Sequence, residues 1–219
     1  MSFDTLAPHY RWLETALAGR VLQRARLHHL PSLQHATHAL LVGEGPGRFL
    51  QALRAARPDL PVTVVDVSAG MLAQARRADP RGPTTFVRAD LRTWEPPPGA
   101  FDAIVTSCVL DCFNADSLEK VVSRLARAAT FDACWLLTDF AVPAQGWRRW
   151  RARRVHGLMY RSFRIVTRLE ARELTPPDPF LRAAEFELID RSTFNHGLLH
   201  ADLWQRRPSA GGQSRAEIN

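Results

Sequence analysis

Three glycines at alternate positions stand between an apolar run and a helical pattern. The run is Ala39–Val42, and the glycines are Gly43, Gly45 and Gly47. This pattern predicts a buried strand, a tight turn and a helix N-terminus, where bare backbone and free N–H groups can receive an anionic or polar ligand group. A second apolar run ends in Asp66, whose carboxylate can accept hydrogen bonds from a ribose diol. Together, these features predict a site for a nucleoside-containing cofactor.

The glycine spacing indicates which cofactor to expect. A dinucleotide fingerprint, G-x-G-x-x-G, requires a third glycine where this chain has Arg48, so a nicotinamide oxidoreductase is disfavoured. The pattern G-x-G-x-G instead resembles motif I of class I S-adenosylmethionine (SAM) methyltransferases. The resemblance continues through Asp66, Asp90 and Phe101–Val105, and it covers residues 35–140. It implies SAM as the cofactor and methyl transfer as the activity, whereas a nucleotide-free α/β domain with a glycine turn is the alternative.

The resemblance also implies a cofactor-binding set. Asp66 would hold the ribose hydroxyls, Asp90 would bond the adenine amino group, and Glu44 would help to hold the amino group of the methionine part. Tyr10 ends a segment, Phe3–Tyr10, that is similar to the opening of many small-molecule methyltransferases and often folds over the cofactor. The other implied members are Gly43, Gly45 and Gly47 at the methionine part, Val67, Met71 and Leu91 beside the adenine, and Ser107 and Cys108 near the transferred methyl.

On the acceptor side, the chemistry asks little of the protein. A sulfonium is a strong electrophile, so alignment of the reacting atoms supplies much of the acceleration, and a general base is needed only for a protonated acceptor. Asp111 follows the fourth predicted strand, and His156 and Tyr160 are four apart on one predicted helix face. Each histidine is more often structural than catalytic. The predicted catalytic residues are Asp111, His156, Tyr160 and His196, with Arg164 and His200 as further candidates.

Three segments bear on the acceptor. Ser107–Leu110 lacks the Asn/Asp-Pro-Pro-aromatic motif with which nucleic-acid amino-methyltransferases hold a flipped base, so no nucleic-acid partner is expected. Phe194–His200 resembles the final hairpin of ubiquinone- and menaquinone-biosynthesis methyltransferases, which implies a quinone- or lipid-like small molecule. The stretch Trp147–Arg154 fits a peripheral membrane contact, and a solvated helix is the alternative.

Composition leaves two other functions open. The net charge is +7 and the isoelectric point about 10.5, but 28 of the 29 basic residues are arginines interleaved with acids, which is typical of solvated faces. A SAM-binding protein with a non-methylating or regulatory role is one alternative. An RNA-directed methyltransferase, with Trp147–Arg154 as its basic surface, is the other. Nothing in the sequence indicates the oligomeric state.

The length of 219 residues predicts a single domain over 1–207, with an N-terminal helical lid at 1–34, an inserted helical segment at 145–182 and a disordered tail at 208–219. There is no signal-peptide pattern and no apolar stretch near the ~20 residues of a membrane span, so a cytoplasmic location is expected. Three cysteines without paired histidines of zinc spacing predict neither a disulfide framework nor a metal site.

Strand and helix patterns alternate along the chain. Strands are predicted at 38–42, 62–66, 84–88, 101–107 and 133–140, with helices at 13–30, 47–57 and 118–129 among others, and Pro31 is predicted to end the first helix. Two further strands at 186–192 and 197–204 are joined too tightly to be parallel. The predicted fold is therefore α/β: a Rossmann-like, mostly parallel seven-stranded sheet with helices on both faces and a C-terminal antiparallel hairpin.

Overall fold

The computed structural model describes residues 19–141 and 174–207. Within these ranges, seven strands form one sheet in the order β3-β2-β1-β4-β5-β7-β6. The strands are β1 (Ala39–Val42), β2 (Val62–Asp66), β3 (Thr84–Arg88), β4 (Phe101–Ser107), β5 (Ala129–Phe140), β6 (Phe186–Phe194) and β7 (Leu199–Arg206). The helices are α1 (Gly19–Leu27), α2 (Arg48–Ala56), α3 (Ala69–Ala78), α4 (Ala115–Ala128) and α5 (Asp178–Ala183). The predicted fold class is confirmed.

The sheet reverses its strand order between β1 and β4. Strand β1 pairs in parallel with β2 on one side and with β4 on the other, and β4 continues in parallel to β5. Strand β7 then lies antiparallel between β5 and β6. Ligands of open α/β sheets bind beyond the carboxyl ends of the strands at such a reversal, so the topology places the cofactor edge above β1 and β4.

Apolar side chains cover both faces of the sheet. One layer contains Leu50 and Leu53 of α2 and Leu72 of α3, packed on the inner strands. The other layer contains Val121 and Leu125 of α4, packed with the central strands and with α5. Because strands buried on both faces need no polar side, they appear in the sequence as the continuous apolar runs from which they were predicted.

Most predicted element bounds agree with the structure, and the differences have local causes. Strand β5 begins at Ala129, four residues before its predicted start, because Ala129 pairs with Phe101 across an irregularity in β4. Phe131 and Asp132 in this extension are exposed, so a search for a continuous buried apolar run does not include it. Pro31 does not simply end a helix, since it lies early in a 3-10 helix that follows α1, where its missing N–H costs nothing.

Some arginines are structural rather than solvated, contrary to the interpretation from composition. Arg54 forms an ion pair with Asp79 at 2.9 Å and also donates to the carbonyl of Leu60. Arg57 donates to the carbonyls of Leu33, Gln34 and Ala36. A guanidinium has five donors in a fixed fork, so one side chain can tie several loop carbonyls together.

Several predictions fall outside the described residues. These are Tyr10 and most of the 1–34 lid, His156, Tyr160 and Arg164, the Trp147–Arg154 stretch with most of the 145–182 segment, and the 208–219 tail. Among the helices that the structure describes, none combines the length and the apolar character needed to cross a membrane.

Candidate active site

The glycine turn follows β1, and each of its glycines meets a different environment. All three have positive φ, between +66° and +88°. A Cβ at Gly47 would lie 2.8 Å from the Cβ of Ala78, so Gly47 allows α2 and α3 to approach closely. A Cβ at Gly43 would lie 2.9 Å from the Cβ of Val109. A Cβ at Gly45 would meet nothing within 4 Å, so open space adjoins the backbone at this glycine. Gly45 is therefore the turn residue best placed for a ligand to approach.

Glu44 caps the helix that follows the turn. Its Oε1 accepts hydrogen bonds from the backbone N–H groups of Phe49 and Leu50, at 2.7 and 3.0 Å. Burial raises the pKa of this carboxyl to about 7, while those two hydrogen bonds and the charge of Arg26 oppose the rise. The sequence assigned Glu44 to the amino group of the cofactor. The structure adds a task that was not predicted, the satisfaction of two N–H groups at the start of α2.

Asp66 ends β2 at the cofactor edge of the sheet. Its Oδ1 accepts a hydrogen bond from the backbone N–H of Ser68 at 2.8 Å, which fixes the carboxylate at the start of the loop. Ser68 caps α3 by accepting a hydrogen bond from the backbone N–H of Met71. Beside Asp66, Val67 leaves 42% of its surface exposed, which is unusual for an apolar residue at the end of a buried strand. An exposed apolar side chain next to a fixed carboxylate suits the adenosine part of a nucleoside cofactor.

Asp90 follows β3 and already has a partner. The guanidinium of Arg92 forms a bidentate pair with it, with Nε 2.9 and 3.0 Å from the two carboxylate oxygens. The hydrogen bond to Arg92 lowers the pKa of Asp90. If Asp90 is to accept the adenine amino group, Arg92 must share or release it. Leu91 is half-buried and packs against the apolar core beside the same edge.

The end of β4 carries a buried hydroxyl and a strained residue. Among the described residues, Ser107 Oγ has no hydrogen-bond partner although it is buried. Cys108, the next residue, has a φ of 51°, and its backbone N–H donates to the carbonyl of Thr138 at 2.8 Å. Unpartnered buried polar atoms and left-handed non-glycine residues are both costly, and both occur preferentially at functional sites. The predicted positions near the transferred methyl thus show independent signs of a ligand site.

Two buried carboxyls lie next to this strand end. The backbone N–H of Asp111 donates to Oδ2 of Asp139 at 3.2 Å, and both side chains are buried. Burial raises the pKa of Asp111 to about 6, and burial together with the nearby Asp111 raises the pKa of Asp139 well above its usual range. Like charges this close cannot both ionise easily, so the pair retains one proton near neutral pH.

Asp139 was missed by the sequence analysis, although a signal was present. It stands near the carboxyl end of the buried strand β5, just as Asp66 ends β2 and Asp90 follows β3. An acid at that position of a parallel strand lies at the ligand edge of the sheet. An acid at the carboxyl end of any parallel strand is therefore a candidate for the ligand site, and the sequence analysis did not apply this rule to β5.

The two C-terminal histidines differ in their surroundings. His200 is buried on β7, where it is the pairing partner of Asp139, and its Nδ1 lies 2.9 Å from Oδ1 of Asp202. Asp202 in turn is held by Arg191, whose Nε lies 2.8 Å away. His196 lies in the exposed turn between β6 and β7 with a φ of 57°. The structure thus brings His200, rather than the predicted His196, into the buried polar group that contains Asp111.

Comparison with known proteins agrees with this geometry. Residues 39–132 match the family described as a methyltransferase domain. Over this stretch the chain is similar to class I SAM-dependent methyltransferases. The match covers the glycine turn, Asp66, Asp90 and Asp111, and it confirms SAM as the predicted cofactor.

Two curated relatives carry methyltransferase names. The chain is 40% identical over 97 residues to a trans-aconitate 2-methyltransferase of Paracidovorax citrulli, a match to 44% of this chain and 36% of the relative. It is 32% identical over 100 residues to an uncharacterized methyltransferase of Mycobacterium bovis, a match to 46% of this chain and 50% of the relative. The chain thus spans half or less of the length of these relatives.

Solved structures share the fold across nearly the whole chain. A mitomycin 7-O-methyltransferase has a TM-score of 0.67 at 17% identity, covering 94% of this chain and 61% of its own. A Burkholderia thailandensis 1,6-didemethyltoxoflavin-N1-methyltransferase, solved with its acceptor and S-adenosylhomocysteine, has a TM-score of 0.62 at 16% identity, covering 93% and 88%. These methyltransferase neighbours act on small molecules. None of the matches described above is named as a ubiquinone- or menaquinone-biosynthesis methyltransferase, so that resemblance stays a prediction.

Proposed function

We propose that this methyltransferase domain transfers a methyl group from SAM to a small-molecule acceptor that carries a hydroxyl or amine proton. Bound SAM would supply the methyl group on a sulfonium that leaves as a neutral thioether. The protein would then need to hold both reactants in line and to accept one proton. The observation that carries the proposal is the buried Asp111–Asp139 pair beside the end of β4.

The residues at the cofactor edge fit SAM in chemistry as well as in position. Gly45 offers bare backbone beside open space, and Ser107 Oγ is a buried hydroxyl that lacks a partner among the described residues. Asp66 is fixed by the Ser68 N–H at the point where a ribose diol would need an acceptor. We infer that these three residues hold the methionyl and ribose parts, and that Val67 and Met71 contact the adenine.

The proton would go to the Asp111 carboxylate. Burial raises the pKa of Asp111 to about 6 and that of Asp139 well above its usual range, so the pair holds one proton at neutral pH and its ionised carboxylate can accept another. A base with a pKa close to the working pH combines the correct protonation state with a favourable proton transfer. His200, which pairs with Asp139 across the strands, lies where it can stabilise the negative charge of the carboxyl pair.

The same pair restricts the acceptor. An anionic group placed beside a buried carboxylate would meet like charge in a medium that screens poorly, so we infer a neutral methyl-accepting group, or a protonated amine that first loses its proton to the carboxylate. A hydroquinone hydroxyl satisfies this condition and agrees with the quinone- or lipid-like acceptor that the final hairpin suggests. One curated relative is named as a trans-aconitate 2-methyltransferase, and the carboxylate of such an acceptor is anionic, so it satisfies this condition less well.

The test is transfer of a labelled methyl group from SAM to an acceptor panel of hydroquinones, phenols, amines, trans-aconitate and RNA. We expect transfer to a neutral hydroxyl or amine, and we expect Asp111→Asn to lower kcat by roughly 10²- to 10⁴-fold. Asp59→Asn, which changes an exposed aspartate in the loop before β2, is the matched control and should retain activity. Calorimetric titration with SAM must give the same affinity for both variants.

Other outcomes would point to the other functions. Binding of SAM without transfer to any acceptor would favour a non-methylating or regulatory role. Transfer to RNA alone would favour the RNA-directed alternative. Full activity of Asp111→Asn with a protonated acceptor would remove the proposed base and leave alignment of the reactants as the contribution of the protein.

A further inference from the structure

A group of potential metal ligands lies away from the cofactor edge. His28 and His29 follow the end of α1, and Asp190 lies in β6, the edge strand of the sheet. One ligand atom from each residue lies within 4.8 Å of the others. The sequence predicted no metal site, since its cysteines lack paired histidines of zinc spacing, and Asp190 lies 161 positions after His29, too far for a recognisable ligand spacing. Only the packing of α1 beside β6 brings them together.

The backbone at each end of this group turns the side chains toward one another. Adjacent residues within an α-helix point apart, but α1 ends at Leu27 and the chain enters a turn there. The rings of His28 and His29 therefore converge, with centroids 4.6 Å apart in an edge-to-face arrangement. His28 also contacts the ring of Phe194, at 5.5 Å, on β6.

Asp190 reaches this side of the sheet because β6 contains an irregularity. Leu188 pairs with Trp204 and Asp190 pairs with Leu203, so Ile189 is the extra residue of a bulge. Without the bulge, Asp190 would project to the same face as Leu188, which packs against the core on the α4 side. A bulge re-aims the side chains that follow it, and here it places a carboxylate toward α1.

We propose that His28, His29 and Asp190 form a binding site for a divalent transition metal of the zinc class. Two imidazoles and one carboxylate are a ligand set that Zn²⁺ accepts, with water in the fourth position. Oδ2 of Asp190 lies 3.6 Å from Nε2 of His29, and ligands of tetrahedral zinc are separated by about 3.4 Å. His28 and Asp190 are both exposed, so their side chains have room to move toward His29 and complete the site.

One hydrogen bond of His29 bears on how a metal would bind. Its Nε2 lies 3.2 Å from the carbonyl oxygen of Ala201, and because a carbonyl can only accept, this nitrogen carries a proton. A metal bound at Nε2 would displace that proton and release the hydrogen bond. A metal bound at Nδ1 would keep it, which is the arrangement that commonly orients metal-binding imidazoles. Bound metal would link the turn after α1 to the edge strand, and thus one end of the N-terminal segment to the sheet.

The test uses the full chain without a histidine tag, freed of metal with a chelator. Competition between the protein and a chromophoric chelator measures Zn²⁺ binding, and Co²⁺ reports four-coordinate geometry through its visible absorption. We expect one Zn²⁺ per chain, a tetrahedral Co²⁺ spectrum, and a rise in Tm of about 5 °C at saturating Zn²⁺. SAM binding and methyl transfer are not needed for the readout, so failure of the proposed function would not affect it.

Two variants make the test specific. His28→Gln and Asp190→Asn change exposed side chains, so both should fold, and each should weaken Zn²⁺ binding by at least 10-fold. His35→Gln, at an exposed position beyond the 3-10 helix, is the matched control and should bind as the wild type does. Absence of stoichiometric binding at micromolar Zn²⁺, or binding that both variants retain, would overturn the proposal.

Discussion

The backbone N–H of Asp111 donates to Oδ2 of Asp139 at 3.2 Å, although the two residues are 28 positions apart on different strand ends. Strand β4 pairs with β5 up to Ser107 and Thr138, so the residues that follow must lie side by side. Two buried carboxyls in this arrangement are unfavourable unless they retain a proton or bind a ligand. The stability of the core does not require these two carboxyls, whereas a proton-accepting site does.

Replacing Asp111 with Asn should remove a pH-dependent loss of stability. Its pKa is raised from 3.8 to about 6, so its stabilising contribution is fully present below about pH 4 and is lost as the pH rises through 6. Relative to wild type, Asp111→Asn should therefore gain on the order of 2 kcal/mol in free energy of unfolding between pH 4 and pH 7. Urea titrations at several pH values measure this difference, and a difference that does not change with pH would contradict the assignment.

Substitutions of two glycines should separate ligand binding from packing. Gly45→Ala introduces a methyl group into open space, so it should cost about 1 kcal/mol of stability from its positive φ and reduce SAM affinity at least tenfold. The methyl group of Gly47→Ala would in addition clash with Ala75 and Ala78, so this substitution should cost about 3 kcal/mol of stability. Thermal unfolding and calorimetry on the same samples measure both quantities. Equal effects of the two variants on stability would show that the turn does not distinguish these positions.

Changes at Glu44 should distinguish its charge from its capping role. Glu44→Gln keeps an oxygen that can accept from Phe49 and Leu50, whereas Glu44→Ala leaves both N–H groups unsatisfied and should cost about 2 kcal/mol. Because the pKa of Glu44 is raised to about 7, the wild type should lose stability relative to Glu44→Gln as the pH rises from about 4.5 through 7. Denaturant unfolding across that range is the measurement, and loss of the cap in Glu44→Gln would contradict the geometry.

The Asp66 carboxylate should be the strongest single polar contact to the cofactor. Removing a charged hydrogen-bond acceptor costs about 1.5–3 kcal/mol, so Asp66→Ala should weaken SAM binding by roughly 10- to 100-fold. Asp59→Ala, which also removes a carboxylate, serves as the control because it lies in an exposed loop. Near-normal SAM affinity of Asp66→Ala in calorimetry would count against the cofactor assignment at β2.

Arg92 should compete with the cofactor for Asp90. The bidentate pair occupies the carboxylate that would accept the adenine amino group, so Arg92→Gln should tighten SAM binding a few-fold while Asp90→Ala weakens it. The opposite sign for Arg92→Gln would mean that the guanidinium itself contacts the cofactor. Titration with both SAM and 5′-methylthioadenosine locates the effect, because the second compound keeps the adenine and ribose but lacks the amino-acid part.

The sequence predicted the order of the elements, which the structure confirms, and with the methyltransferase resemblance it predicted the cofactor. Those inferences rest on local patterns: a glycine turn after Val42, an acid after β2, and apolar runs whose length matches buried strands. Local backbone geometry and strand periodicity are set by residues close together in the chain, so they can be predicted from the sequence. The resemblance to methyltransferases added the roles predicted for Asp66 and Asp90, which stay predictions.

Tertiary structure alone decided which residues meet. The pairing of Asp139 with Asp111 depends on strand register, and the approach of His28 and His29 to Asp190 depends on a bulge in β6 and on the packing of α1. Each of these contacts joins side chains whose separation along the chain carries no periodic signal. A shift of one residue in register would turn those side chains to the other face of the sheet, and this is why their chemistry follows from the fold.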